Sequence, residues 1–222
     1  MISNSLEPWQ ISAVDVFSML MILTATLITE ETDLRRAVYI YIVQTLLLAS
    51  SFVVIGVTYN WLILWAISAI VTKATICPYF ILKAISRTKY IESEKPLIPS
   101  SISYLSIAIL IVLSLELSRR FSGVQTILGA VPLAVSLTLT MIGLLTIVTR
   151  RNIIKHILGL LHFENGAHLN LAVLAFQVPE TVEMGIITDA VVLVFILAFL
   201  ATKIYKQTGS HDVSVLTTLK YS

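Results

Sequence analysis

The sequence predicts an all-α, polytopic membrane protein with seven transmembrane helices. Of its 222 residues, 57% are hydrophobic and 13% are charged, and the mean hydropathy is +0.91. An ordinary soluble domain carries about 25% charged residues, because its surface faces water. The apolar residues fall into seven runs long enough to cross a bilayer, and these runs do not alternate apolar with polar residues as barrel strands do.

The charge balance and the cysteine content exclude two classes of function. The formal net charge is +2, from 15 basic and 13 acidic residues, which leaves no basic footprint for nucleic acid. The single cysteine, Cys77, permits no internal disulfide and no thiolate-held zinc or iron–sulfur cluster within this chain. We therefore expect no catalytic, cofactor or metal site in the chain itself, and any redox centre to belong to a partner.

Each apolar run is expected to form a helix, because lipid offers no partner to an unpaired backbone group. The first ten residues contain no lysine or arginine, so we expect the first run to be retained rather than removed as a secretory signal. Pro132 lies inside the fifth run and is expected to kink it. The predicted helices span residues 12–29, 37–58, 61–85, 102–118, 124–148, 152–177 and 183–205.

The loops between these helices predict the orientation of the chain. With seven spans, most basic residues fall on one side of the membrane, and only Arg119 and Arg120 fall on the other. The positive-inside rule then puts the N-terminus outside and the C-terminus in the cytoplasm. The residues on the basic side are Arg35, Arg36, Lys83, Arg87, Lys89, Lys95, Arg150, Arg151, Lys155, Lys203, Lys206 and Lys220.

One loop predicts the only internal division of the chain. Residues 86–100 form the longest connection, with Pro96, Pro99 and alternating charge. We expect it to separate an N-terminal three-helix segment, residues 1–100, from a C-terminal four-helix segment, residues 101–222.

Three ionisable residues lie well inside predicted helices. An Asp, Lys or Arg at the centre of a membrane helix costs roughly 2.5–3.5 kcal/mol on insertion scales, so each such residue needs a partner, water or a function. Lys73 and Glu164 each lie about 13 residues from the outer end of their helix, a depth of roughly 20 Å at 1.5 Å per residue. Asp189 lies about six residues into the seventh helix from the same side.

The sixth helix contains the densest group of polar residues in the sequence. Glu164 and His168 are four residues apart and share one face, whereas His162 and Asn165 are three apart and share another. Polar residues on two faces require protein neighbours on both, so we expect the fifth and seventh helices and another subunit to enclose this one.

Two small residues of the sixth helix are expected to help its neighbours come close. Gly159 and Gly166 are seven residues apart and lie on nearly one face, where they would let an adjacent backbone approach.

These residue types suit a proton relay. A carboxyl or amine whose ionisation is shifted towards the working pH can take up and release protons repeatedly, and histidine already titrates there. We therefore predict that Lys73, Glu164 and Asp189 carry charge, with His168 and His162 as relays or water anchors. The alternative is that all five are hydrogen-bonded packing elements, and for the two histidines alone this structural role is the favoured interpretation.

Two groups of motifs resemble known membrane subunits. Residues 141–205 resemble the K-type subunit of complex I and the related C subunit of multisubunit cation/proton antiporters, through Thr-Arg-Arg-Asn-Ile-Ile at 149–154, Ile-Leu-Gly-Leu at 157–160 and Asn165. The similar core is a three-helix unit, residues 124–205. Over its whole length the chain resembles the E component of hydrogenase-4 and formate hydrogenlyase-type complexes, through Tyr41-x-x-Gln44, Lys73 with Pro78, and Leu-Leu-His-Phe-Glu-Asn-Gly at 160–166.

The chain departs from the K-type pattern at both membrane acids. Leu161 stands where that subunit has its first glutamate, and Glu164 follows three residues later on nearly the same face. Asp189 lies about one turn before the second position, which falls near Leu193. The resemblance therefore implies proton handling by carboxylates in kind rather than position for position.

The resemblance also implies a setting for the protein. It implies a non-catalytic subunit in the cytoplasmic or inner membrane arm of a proton-translocating group 4 [NiFe]-hydrogenase. Antiporter-like and H-type membrane subunits and a peripheral hydrogenase arm would be its partners, and those partners would hold the nickel–iron centre and the iron–sulfur clusters. The alternatives are an assembly subunit without a proton path, or a subunit of a complex I-type NADH dehydrogenase or cation/proton antiporter.

Overall fold

The computed structural model describes residues 6–88, 96–120, 128–174 and 180–213, without the side chains of residues 88 and 180–190. This part of the chain is helical, and its only β pairing is one bridge between Asn152 and Asp212. The elements are α1 (Pro8–Glu30), α2 (Leu34–Gly56), α3 (Trp61–Ala69), a π-helical segment (Ile70–Ile76), α4 (Cys77–Thr88), α5 (Ser100–Arg120), α6 (Ala130–Thr149), α7 (Ile153–Leu174) and α8 (Glu180–Thr208).

The described residues contain six helices that are long and apolar enough to cross a membrane, rather than the predicted seven. The segments α3, π and α4 are continuous and count as one of the six. The helix that is not among the six is α7, which has 22 residues but contains the cluster of polar residues predicted for the sixth helix. With α3, π and α4 counted as one continuous helix, the described residues form seven helices, which is the predicted number. The chain is a multi-pass membrane protein.

The predicted fifth helix corresponds to α6, and it begins later than predicted. Residues 124–127 lie outside the described residues, and α6 starts only at Ala130, after Gly129 with a φ of 80°. Pro132 therefore lies in the first turn, where a missing N–H and a fixed φ are tolerated, and the predicted kink is wrong. The predicted end of the sixth helix at 175–177 also lies outside the described residues.

The third helix changes its winding around Lys73. Seven residues from Ile70 to Ile76 have π-helical bonding, and the Thr75 hydroxyl donates to the carbonyl of Ile70 at 3.0 Å. A π turn widens the helix locally and is common at functional sites. Lys73 is the buried residue of this segment, so the altered winding sets the direction in which its side chain leaves the helix.

The tightest helix contact joins α6 to α7 through glycines. A β-carbon on Gly159 would lie 2.8 Å from the carbonyl oxygen of Gly143, and one on Gly166 would lie 2.5 Å from the Thr140 hydroxyl. A β-carbon on Gly143 would lie 2.5 Å from the backbone nitrogen of Phe163. The prediction that Gly159 and Gly166 permit close approach is confirmed, and it is backbone contact that brings α7 into the bundle.

The ends of several helices meet on one side of the bundle. The backbone N–H of Leu97, just before α5, donates to the carbonyl of Thr149 at the end of α6 at 3.1 Å. The N–H of Ile153 at the start of α7 donates to the carbonyl of His211 at 3.2 Å, just after α8. His211 stacks on the ring of Tyr205, and burial lowers its pKa. The chain following α8 is thereby tied to the loop between α6 and α7.

Basic residues collect at this same end. Arg87 and Lys206 lie along one cleft, so α4 and α8 also end here, whereas α5 begins here and ends on the opposite side. We call this the basic end of the bundle. Its described basic residues are Arg35, Arg36, Lys83, Arg87, Arg150, Arg151, Lys155, Lys203 and Lys206.

A buried lysine caps α1 at the basic end. The Nζ of Lys155 lies 2.5 Å from the carbonyl oxygens of both Ile28 and Glu31. The last four carbonyls of a helix lack intrahelical donors and form the negative end of its dipole, so a buried ammonium satisfies both demands. Beside it, the Arg150 guanidinium donates to the Glu30 carboxylate at 2.5 Å, and both side chains are buried.

Gly159→Val should destabilise the protein by about 1–3 kcal/mol or more, because the added side chain must push apart two touching backbones. The measurement is thermal or denaturant unfolding of the purified chain in mild detergent. Ala108→Val, at an exposed position of α5, is the matched control and should change little. Equal effects of the two substitutions would show that α6 and α7 are not in backbone contact.

Lys155→Met should lower the free energy of unfolding by at least about 2 kcal/mol, because it leaves buried carbonyls at the end of α1 without donors. Arg151→Met is the control, since Arg151 is exposed and four residues away on the same end. The same unfolding measurement applies. A Lys155→Met protein as stable as the control would mean that the end of α1 finds other donors.

Candidate functional site

The candidate site is an ionic network centred on Lys73. Its Nζ lies 3.2 Å from a carboxylate oxygen of Glu164, 3.2 Å from Oδ1 of Asn165 and 2.6 Å from Nδ1 of His168. The Lys73 side chain is 1% exposed. The π segment supplies the cation and α7 supplies all three of these partners, so the network joins the third helix to α7 across the middle of both.

The Lys73 contacts indicate a protonation pattern. A lysine ammonium has three N–H donors and no acceptor, and three acceptors surround it here. If Lys73 is charged, Nδ1 of His168 must accept, so a neutral His168 carries its proton on Nε2. A buried charge with several good hydrogen bonds is much less costly than a lone one.

Gln44 extends the network to α1 and α2. Its Nε2 donates to the carbonyl of Met21 at 3.1 Å, which leaves Oε1 as an acceptor. That oxygen lies 3.3 Å from the Asn165 amide nitrogen and 2.8 Å from Nδ1 of His162. Because an amide oxygen only accepts, His162 carries a proton on Nδ1. With Lys73 charged, the two buried imidazoles are therefore in opposite tautomers when both are neutral.

His168 has a second partner that competes for the same ring nitrogen. Its Nδ1 lies 3.0 Å from the backbone carbonyl oxygen of Glu164, in addition to its contact with Lys73. The carbonyl can only accept, so that bond requires a proton on Nδ1, whereas the bond from a charged Lys73 requires its absence. If a proton binds to Nδ1 of His168, the bond from Lys73 is lost and the bond to the Glu164 carbonyl can form. The site therefore has two alternative hydrogen-bonding arrangements, which differ in whether Nδ1 is protonated.

The acid lies at the edge of the network. The Glu164 side chain is 13% exposed, compared with 1% for Lys73 and 2% for His168. Its carboxylate points inward to Lys73 at 3.2 Å and lies 3.9 Å from Nδ1 of His168. The pair is thus enclosed enough for strong electrostatic coupling, while Glu164 retains access from outside the chain.

The structure brings together four of the five predicted site residues. Glu164 and His168 both contact Lys73, and His162 joins them through Gln44. Asp189 lies in α8, and its side chain lies outside the described residues, so its role stays a prediction. The expected separation of two polar faces on α7 holds only in part, because Asn165 contacts both Lys73 and Gln44.

Sequence reasoning did not include Gln44 or Asn165 among the site residues. Gln44 is a fully buried amide in the middle of α2, within a long apolar run. A lone glutamine in such a run is itself a signal, because an amide in lipid needs a hydrogen-bond partner. Its partners on α1 and α7 are more than 20 and more than 110 residues away in sequence, and no spacing rule predicts them.

Other helices of this chain surround α7 on several sides. The helix packs most extensively on α6, with further contacts to α1, α2 and α8. The prediction that its sequence neighbours enclose it is confirmed, and the addition of α1 and α2 was not foreseen. The expected contact with another subunit stays a prediction.

Comparison with known proteins identifies the family. Residues 131–221 match the family model for NADH-ubiquinone/plastoquinone oxidoreductase chain 4L. The chain is 35% identical over 204 residues to hydrogenase-4 component E of Escherichia coli strain K12, which covers 90% of this chain and 94% of that protein. The same values hold for hydrogenase-4 component E of Escherichia coli O157:H7 and of Shigella flexneri. No solved structure matches the chain. The chain therefore belongs to the hydrogenase-4 component E family, with a C-terminal part of the chain 4L type.

Proposed function

We propose that this chain is a membrane subunit of a proton-translocating group 4 [NiFe]-hydrogenase complex, in which the Lys73 network carries part of the proton-coupling axis. The family supports the setting, since the named relatives are hydrogenase components. The observation that supports the chemistry is the buried Lys73–Glu164 pair with His168 on the same ammonium. The chain has no active site of its own in this proposal.

Proton handling follows from the shared ring nitrogen of His168. With Lys73 charged, its N–H groups point to Glu164, Asn165 and His168. When a proton arrives on Nδ1 of His168, that N–H turns to the Glu164 carbonyl, and Lys73 loses one acceptor and gains a cationic neighbour. The change favours release of a proton from Lys73 or its transfer to Glu164, so uptake at one group is coupled to release at another.

Protons would enter or leave the Lys73 network at two residues, Glu164 and His162. Glu164 is the accessible member and would exchange protons with water or with a neighbouring subunit. His162, reached through Asn165 and Gln44, would connect the network towards α1 and α2. We assign Asp189 to the same axis as a further charge carrier on α8.

All seven helical rods cross the membrane in this proposal, with the N-terminus outside and the C-terminus in the cytoplasm. The 22 residues of α7 span about 33 Å at 1.5 Å per residue, enough for a hydrocarbon core of about 30 Å. Its polar side chains are buried against other helices, which removes the main cost of insertion. The basic end supports the orientation through the positive-inside rule, and the membrane is the cytoplasmic or inner one.

The partners in this proposal are antiporter-like and H-type membrane subunits and a peripheral hydrogenase arm. Those subunits would hold the nickel–iron centre and the iron–sulfur clusters. The chain itself supplies Lys73, Glu164 and the two histidines, which bind and move protons but do not transfer electrons.

Two other functions are favoured by particular observations. The complete set of acceptors around Lys73 suits an assembly subunit in which the network only fixes helix packing. The chain 4L match suits a complex I-type NADH dehydrogenase or a cation/proton antiporter. Copurification in mild detergent distinguishes the complexes, since a nickel-containing partner is expected only for the hydrogenase.

Glu164→Gln should reduce proton-coupled turnover at least about tenfold while leaving assembly largely intact, because glutamine keeps the shape and a hydrogen bond but cannot ionise. The measurement is hydrogen evolution coupled to proton movement in membrane vesicles, with the amount of assembled complex determined in parallel. The control is Glu116→Gln, since Glu116 is exposed on α5 and pairs only with Arg120 among the described residues.

Coupling unchanged by Glu164→Gln in a fully assembled complex would contradict the relay and favour the assembly role. Equal losses in the Glu164→Gln and Glu116→Gln proteins would contradict it as well, because the effect would then not belong to the network.

A further inference from the structure

A cleft between the ends of α4 and α8 lies apart from the Lys73 network. It has a volume of about 160 Å³ and lies at the basic end of the bundle. Four cations line it, Lys83 and Arg87 from α4 and Lys203 and Lys206 from α8. No carboxylate is among its described lining residues, so the cleft carries an excess of positive charge.

The deeper wall of the cleft is aromatic. Phe80 of α4 and Phe195 of α8 are in edge-to-face contact, with ring centroids 5.2 Å apart. Phe199 follows one turn later, and it and Phe195 are more than half exposed. Ala84 and Ala198 form the buried floor, because small side chains leave room between the helices.

The aromatic part and the cationic part of the cleft lie one after the other along the helix axes. Phe80 precedes Arg87 by seven residues and Phe195 precedes Lys206 by eleven, which are about 10 and 16 Å along a helix. Both helices run in the same direction, so the aromatic rings lie together deeper in the bundle and the cations lie together at its end. The apolar and cationic parts thus match the acyl and headgroup levels of a bilayer.

Two of the cations are held against aromatic rings. The Nζ of Lys83 lies 5.1 Å from the ring centre of Tyr79, and that of Lys203 lies 5.6 Å from the ring centre of Phe199. Such contacts position an ammonium without neutralising it. The two charges therefore remain available to an anion that enters the cleft.

We propose that this cleft binds an anionic phospholipid. The phosphate lies among Lys83, Arg87, Lys203 and Lys206, and one acyl chain lies against Phe80, Phe195 and Phe199. Basic pockets between membrane helices on the cytoplasmic side have this ligand chemistry. Free phosphate would leave the aromatic wall without an occupant, and a zwitterionic lipid would bring an ammonium or choline group close to four cations. The bound lipid would fasten α8 to α4, the main partner of α8 in the bundle.

The test is phosphatidylglycerol binding to the full chain, purified in mild detergent with the subunits it retains, delipidated and titrated by native mass spectrometry. Each cation near an anionic headgroup contributes about fivefold in affinity, so Lys83→Gln/Lys203→Gln should weaken binding about 25-fold. The control is Arg35→Gln/Arg36→Gln, which removes two exposed charges at the same end but outside the cleft and should change affinity less than twofold. Unfolding temperatures without lipid establish that both variants are folded.

Each of the following outcomes would overturn the proposal. The first is less than a threefold loss in the cleft variant, and the second is an equal loss in both variants. The third is equal binding of phosphatidylcholine, or displacement of phosphatidylglycerol by millimolar inorganic phosphate. The last is a photo-crosslinker in place of Phe199 that captures a protein neighbour instead of lipid in native membranes. Capture of phosphatidylglycerol at that position supports it.

Discussion

The buried amine of Lys73 in the middle of a membrane protein is the constraint on which the rest of the site depends. An ammonium in a medium of low dielectric is stable only where acceptors surround it, and α7 provides three of them within 3.2 Å. This arrangement requires α7 to enter the bundle rather than face lipid. The backbone contact of Gly143, Gly159 and Gly166 between α6 and α7 makes that position sterically accessible.

The protein contains a second buried lysine whose environment leads to a different role. The Lys155 ammonium donates to the backbone carbonyls of Ile28, Thr29 and Glu31 at the end of α1. These three carbonyls cannot take up a proton, so the bonds to them fix the position of a helix end. Lys73, by contrast, is bonded to a carboxylate and an imidazole, which are chemical groups able to take up a proton. The chemical nature of the acceptors, more than burial, separates a structural lysine from a candidate proton carrier.

The number of helices and the centre of the site could be predicted from the sequence because both follow from local rules. Apolar length defines the helices, and an ionisable residue in the middle of such a length is costly wherever its partners lie, which is why Lys73 and Glu164 were predicted together. The start of α6 at Ala130 was predicted too early, since Ile127 and Leu128 extend the apolar run, while Gly129 adopts a positive φ that local sequence alone does not dictate. The π segment and the contacts of Gln44 were also missed, because neither leaves a periodic signal in the sequence, and the bond of Gln44 to His162 joins helices more than 110 residues apart.

The central claim is that Glu164 exchanges a proton within the Lys73 network during normal operation. Infrared difference spectroscopy of the assembled complex, recorded across its working pH range in H₂O and D₂O, measures this directly. The account predicts a carboxylic C=O band that titrates reversibly, is absent from the Glu164→Gln complex and shifts in frequency in the Lys73→Met complex. A spectrum without any titrating carboxyl band that depends on Glu164 would contradict the account.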